Sequence, residues 1–240
     1  MGRGSVLVAR RLRAAIIRRL WAGMSASASE PVCAHPEGEF RDATLVLVGH
    51  GSTLNAESAE PTHRHAEALR ARAMYAAVVV CFWKEQPVIS AVLRGVVSPR
   101  VFIVPLFISD GYFTQEVIPR ELGLCRTGES NWARVQRRNG QVLHYGGPVG
   151  THPSMTEVIL ARARSVVLAN PGSPNGTPPA DECTLFIAGH GTGNNENSRK
   201  AIEAQVEIIA SRGVYRDVHA IFMGKPRGLK PRTSWRVPRT

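Results

Sequence analysis

Cysteine is scarce and never paired in this chain: Cys33, Cys81, Cys125 and Cys183 lie far apart and form no Cys-x-x-Cys motif. That pattern fits neither a zinc site nor a disulfide scaffold, and it implies reduced thiols in a cytoplasmic protein. Long apolar runs are missing as well. The longest lies near residues 78–83 and falls well short of the roughly 18 apolar residues a membrane span needs, so none is predicted. Acidic residues are absent from both ends. Residues 1–24 hold six arginines (Arg3, Arg10, Arg11, Arg13, Arg18, Arg19) and residues 224–240 six bases, with no acid in either segment.

This distribution decides how the net charge of +11 is read. An excess of 30 bases over 19 acids suggests a polyanionic partner. Setting aside the twelve terminal bases leaves 18 bases against 19 acids over residues 25–223, a net charge of −1. A nucleic-acid binder needs a basic face or an aromatic platform in its folded part. The body offers neither, so no nucleic-acid partner is expected. The basic start reads either as an acid-poor leader or as an extension ahead of Met24. Residues 25–42 read as a flexible lead-in. At 43% hydrophobic, the 240-residue chain can bury real cores.

The body repeats itself at an offset of 140. Thr44-Leu-Val-Leu-Val-Gly-His-Gly-Ser-Thr-Leu-Asn55 aligns with Thr184-Leu-Phe-Ile-Ala-Gly-His-Gly-Thr-Gly-Asn-Asn195, with six of twelve positions identical. In each copy an apolar, β-branched run ends in Gly-His-Gly and passes into a helical pattern. Helices are predicted over residues 59–75 and 198–211, followed by strands over 77–82 and 218–222. Both copies therefore open as a βαβ unit with buried parallel strands. Copy one continues with a helix near 88–96, a strand over 101–107, a loop over 109–114, a helix near Ile118, a strand over 142–145 and a helix over 154–168. Residues 171–181 form a turn-rich linker. The predicted fold is α/β, with tandem domains at 43–170 and 182–223. The second reads as incomplete, because residues 224–240 hold three prolines and no acid or periodic pattern.

His50 and His190 fall just past strand ends, the edge at which open α/β sheets place ligands. An imidazole there can bind a divalent metal or take up a proton near neutral pH, although a single Gly-His-Gly is as well explained as a structural turn. Residues 105–123 form the second cluster. Ser109 and Asp110 open a loop over the same edge, and Glu116, Arg120 and Glu121 follow at a helix start. Acids there can move protons or bind metal, or simply serve the helix dipole. Glu85 lies in a third loop of that edge and is equally readable as a solvated charge. His63 and His65 sit on the exposed side of a helix; His35, His144, His152 and His219 have no partner pattern.

Four segments carry a resemblance: Leu-Val-Gly-His50-Gly-Ser; Phe-Trp-Lys-Glu85-Gln-Pro; Pro-Leu-Phe-Ile-Ser-Asp-Gly with Ile-Pro; and Pro-Val-Gly-Thr-His152-Pro. In this order they resemble the sirohydrochlorin cobaltochelatase/ferrochelatase (CbiX) family in its fused two-domain form. The resemblance implies a class II chelatase fold that inserts Co²⁺ or Fe²⁺ into a tetrapyrrole without a nucleotide. It implies that His50 and, in the second copy, His190 are catalytic metal ligands and proton acceptors. It also implies that Glu85 and the loop Ile108, Ser109, Asp110, Gly111, Tyr112 and Phe113 face the macrocycle, with Arg120 a candidate for its carboxylates. The chain departs from the family at one point: where a second metal histidine belongs, it has Phe113. A non-catalytic tetrapyrrole or metal binder is the alternative. A histidine phosphatase is disfavoured because Gly49 and Gly189 stand where its phosphate-binding arginine would be.

Overall fold

The computed structural model describes residues 39–126, 128, 131–170, 178–190 and 196–222. The basic segments 1–24 and 224–240, and most of the linker, lie outside these residues. The chain divides into two compact units, Met1–Pro36 with Glu157–Pro179, and Glu37–Thr156 with Ala180–Thr240. The described part of the smaller unit is chiefly the body of one helix, within Met155–Ala169.

The larger unit holds a five-stranded and a two-stranded sheet. In chain order its elements are β1 (Ala43–Gly49), α1 (Glu60–Ala71), β2 (Ala77–Phe82), the single-turn α2 (Ile89–Val92) and β3 (Arg100–Pro105). Next come the single-turn α3 (Ile118–Glu121), β4 (Val135–Arg138) and β5 (Gln141–Tyr145). After helix α4 (Met155–Ala169), whose body belongs to the smaller unit, the larger unit resumes with β6 (Thr184–Gly189), α5 (Asn197–Ser211) and β7 (Asp217–Phe222).

The first sheet has the order β2-β1-β3-β5-β4, parallel except for β4, which pairs antiparallel to β5. All seven residues of the interior strand β1 are buried. Alternate side chains of a strand face opposite sides of the sheet. Val46 and Val48 accordingly enter a core with Ile103, Ile118 and Leu143, whereas Leu45 and Leu47 enter a second one with Ala66, Val80 and Phe82. Burial on both faces is why β1 reads as a continuous apolar run rather than an alternating one.

The second sheet reproduces the β1–β2 register 140 residues later: Thr44 pairs with Ala77 and Gly49 with Phe82, and Thr184 pairs with Asp217 and Gly189 with Phe222. The helices follow the same offset. Thr62 of α1 and Phe82 flank Gly49, while Ile202 of α5 and Phe222 flank Gly189. A buried hydrogen bond ties α5 to the end of the first sheet's chain, Thr156 Oγ1 donating to Gln205 Oε1 at 2.7 Å.

Three expectations shift. The first helix stops at Ala71 rather than 75, ahead of Ala73 at φ 51°. The strand expected over 101–107 leaves the ladder after Pro105, because the Phe107 carbonyl turns to accept the Gly150 N–H at 2.9 Å. Strand β4 lies where none was predicted, joined to β5 by Asn139 and Gly140, both at positive φ. Among the described residues no helix is long and apolar enough to cross a membrane.

Candidate functional site

The site lies at the carboxyl edge of the parallel strands, where β1, β2 and β3 release their loops. His50 directly follows β1 and is exposed. Its Nδ1 lies 2.9 Å from the Gly51 carbonyl oxygen. A carbonyl only accepts, so Nδ1 carries a proton, and in the neutral ring Nε2 is the nitrogen left with a lone pair. Gly51 sits at φ +67°, and a Cβ there would stand 2.6 Å from Glu85 Oε1. The second glycine of Gly-His-Gly is thus fixed by backbone conformation and by space.

Glu85 comes to the His50 loop. Its Oε1 accepts the Ser52 N–H at 3.1 Å, and the neighbouring Lys84 N–H donates to the His50 carbonyl at 3.0 Å. Ser52 Oγ then accepts from the Leu54 and Asn55 amides at 3.1 and 3.2 Å. The β2 loop therefore anchors the segment that presents the imidazole.

The β3 loop closes the other side. Phe113 is half-buried at the centre of an aromatic set: its ring lies 5.1 Å from the His50 ring, edge-on, 6.2 Å from Trp83, 6.0 Å from Phe107 and 5.8 Å from Tyr112, between centroids. Tyr112 and Ile108 are exposed beside it, at 55% and 57%, so the loop offers an apolar face to a ligand. Phe113 also begins a widened helical turn, Phe113–Val117, that leads into α3, a distortion often found at functional sites.

Asp110 is half-buried and bonds within its own segment. Gln115 Nε2 donates to its carboxylate, and Gln115 Oε1 accepts from Arg134 Nη2 at 3.1 Å. Arg134 lies over the rings of Trp132 and Tyr145, 5.6 Å from each. Tyr145 donates its hydroxyl to the Thr114 carbonyl at 2.7 Å. Burial pushes the Tyr145 phenol well above the usual tyrosine range, so it stays a donor. Thr114 Oγ1 in turn accepts the Gly111 N–H at 3.0 Å. Ser109 and Gly111 are half-buried in the same loop. A Cβ on Gly150 would collide with the Ile108 backbone.

His190 occupies the equivalent strand end of the second sheet, exposed, after Gly189 of β6. The structure thus brings His50, Glu85 and the 108–113 loop together on one sheet and places His190 on the other. Arg120 does not join them; it lines a groove with the β4–β5 turn. His152 serves a helix start, its Nδ1 accepting the Ser154 N–H at 3.2 Å, and His144 stacks on Phe102. Among the described residues no group of three or more His, Cys, Asp or Glu is arranged to hold a metal ion. Sequence reasoning missed Trp83 and Phe107 as walls, and Gln115, Arg134, Tyr145 and Gly150 as supports. Only the aromatic density after strand ends signalled any of them.

A family model described as CbiX matches residues 44–166, about half of the chain and all of the site on the first sheet. The chain belongs to the CbiX family. It is 43% identical over 189 residues to a protein of Halobacterium salinarum named probable sirohydrochlorin cobaltochelatase, covering 75% of this chain and 62% of that protein. Among solved structures it resembles a multi-domain Deinococcus radiodurans protein described as structurally similar to chelatases. That match has a TM-score of 0.64 at 36% identity and covers 76% of this chain and 39% of the other. SirB from Bacillus subtilis, solved with Fe³⁺, shares the fold at TM-score 0.57 and 16% identity, over 76% of this CbiX-family chain and 66% of SirB. The chain thus spans less than two thirds of the length of these relatives.

Proposed function

We propose that this chain carries the chelating core of an enzyme that inserts a divalent metal, Co²⁺ or Fe²⁺, into sirohydrochlorin in the cytoplasm. The observation that supports this most is the exposed His50 imidazole, its Nδ1 engaged with the Gly51 carbonyl, set against the aromatic cluster of Phe113 and Tyr112. The macrocycle lies on that face. Nε2 takes the hydrated metal ion, displaces a water and passes the ion to the ring nitrogens. The reaction exchanges one M²⁺ for the two pyrrole N–H protons. The imidazole, once it has released the metal, accepts one of them and solvent takes the other. Glu85 holds the histidine loop in place and Asp110 stiffens the facing loop.

We further propose a tandem arrangement of domains at 43–170 and 182–223, supported by the register repeated at an offset of 140. His190 then presents a second imidazole for the same chemistry. A second reading, a tetrapyrrole or metal binder without turnover, is favoured by one feature: Phe113 provides no donor opposite His50. Titrating the protein with sirohydrochlorin, and then adding Co²⁺, separates the two. A chelatase gives a second, metal-dependent absorbance change that continues over many equivalents of substrate. A binder gives only a shift that saturates with the protein.

A further inference from the structure

A groove of about 280 Å³ lies between α2, the end of α3 and the β4–β5 turn. In its wall, Gln141 Nε2 donates to the carbonyls of Val96 and Ser98, just ahead of β3, at 2.9 and 2.8 Å. The groove is therefore at the amino edge of the parallel strands, the edge opposite His50. Three guanidinium groups line it, those of Arg94, Arg120 and Arg138. One carboxylate accompanies them, Glu121, 3.5 Å from Arg120. Arg138 uses Nη1 on the Leu122 carbonyl at 3.2 Å, leaving most of its five N–H donors free.

The body of the chain has a net charge of −1. Arg64, Arg100, Arg199 and Arg216 each pair with an acid. Among the described residues Arg94 and Arg138 have no acidic partner, which is also true of Arg70, Arg134 and Arg137; what sets the groove apart is that three guanidinium groups share one concavity. Like charges gathered around one concavity are held apart from counter-charges only at some cost in self-repulsion, which an anion would relieve. Buried Leu122 and Leu143 supply an apolar floor. The volume lies just below the usual range of ligand sites, about 300–1,000 Å³, and is too small for a macrocycle.

We propose that this groove is a second ligand site, separate from the chelating edge, for a small molecule bearing two oxyanionic groups on a short skeleton. Guanidinium forks match carboxylate and phosphate oxygens alike. Arg94 and Arg138 grip one group from either rim, and Arg120, partly neutralised by Glu121, contributes the weaker contact.

Calorimetric titration of the full chain at low ionic strength, with citrate and with pyrophosphate as separate probes, tests this. Saturable 1:1 binding of at least one probe is expected, the better one identifying carboxylate or phosphate as the preferred group. Arg94→Gln, which removes no hydrogen bond of the fold, weakens it at least threefold, and Arg94→Gln with Arg138→Gln at least tenfold. His50→Ala leaves it unchanged. Absence of saturable binding overturns the proposal. So does binding that both arginine variants retain, which would assign the anion to the basic ends.

Discussion

The imidazole of His50 meets the ring of Phe113 edge-on, with 5.1 Å between the centroids. Two imidazoles at that separation would bring ring nitrogens close enough to share one ion; a phenyl ring provides packing and no donor. His50 is therefore held in position by the neighbour that deprives it of a co-ligand. Phe113→His is expected to tighten Co²⁺ binding at least tenfold, about 1.4 kcal/mol, and to change the visible cobalt spectrum. Unaltered affinity in calorimetry, with the fold intact, would mean that the two side chains do not converge.

Glu85 acts first on the backbone. Its carboxylate accepts from Ser52, and hydrogen bonds to charged groups contribute about 1.5–3 kcal/mol each. Glu85→Ala should lower the stability by about 1–2 kcal/mol, whereas Glu85→Gln, whose amide oxygen still accepts, should stay within about 0.5 kcal/mol. Urea unfolding measures both. Equal losses in the two variants would show that the charge, not the anchor, matters.

Gly150 leaves no room for a side chain against Ile108, while Gly95 has open space where a Cβ would go. Overpacking typically costs about 1–3 kcal/mol. Gly150→Ala is expected at the top of that range and Gly95→Ala near zero. Comparable thermal midpoints for the two variants would contradict the close packing of the 147–151 turn on the 108–113 loop.

Cys81 is fully buried in β2, and burial pushes its thiol up to about 12. A thiol near 8.5 in the unfolded chain and near 12 in the folded one keeps its full stabilising effect below about pH 8.5. That effect is lost as pH rises toward 12, by up to about 1.4 kcal/mol per unit. The Tyr145 phenol, also raised, adds to the loss at the alkaline end. Unfolding free energy should therefore fall from about pH 9 upward, less steeply in Cys81→Ala. A native protein whose Cys81 reacts with a thiol reagent within seconds at pH 8 would refute the burial.

The elements legible in the sequence are those buried on both faces or repeated. β1, β2, β6 and β7 announce themselves as β-branched runs, and Gly-His-Gly marks both strand ends. β4, with the sequence Val135-Gln-Arg-Arg138, is mostly exposed and carries one apolar residue. It is held by pairing with β5, so no periodicity reveals it; the Asn139-Gly140 turn between the two strands is the one local signal. His50, Glu85 and the 108–113 loop were readable as separate pieces of one edge. Their supports were not, because Tyr145 reaches Thr114 across 31 residues and Ser52 reaches Glu85 across 33. Such contacts are products of strand order, not of local sequence. Arg120 was misplaced for the same reason: the short turn of α3 carries it back to the opposite edge.

The proposed chemistry makes His50 and its counterpart His190 the carriers of metal to the macrocycle. Its most direct test is the initial rate of Co²⁺- and sirohydrochlorin-dependent absorbance change, compared for the unaltered chain, His50→Ala, His190→Ala and the double variant. Turnover is expected in the unaltered chain, with a loss in each single variant and at least a hundredfold loss when both imidazoles are removed. An unchanged rate in the double variant would contradict it.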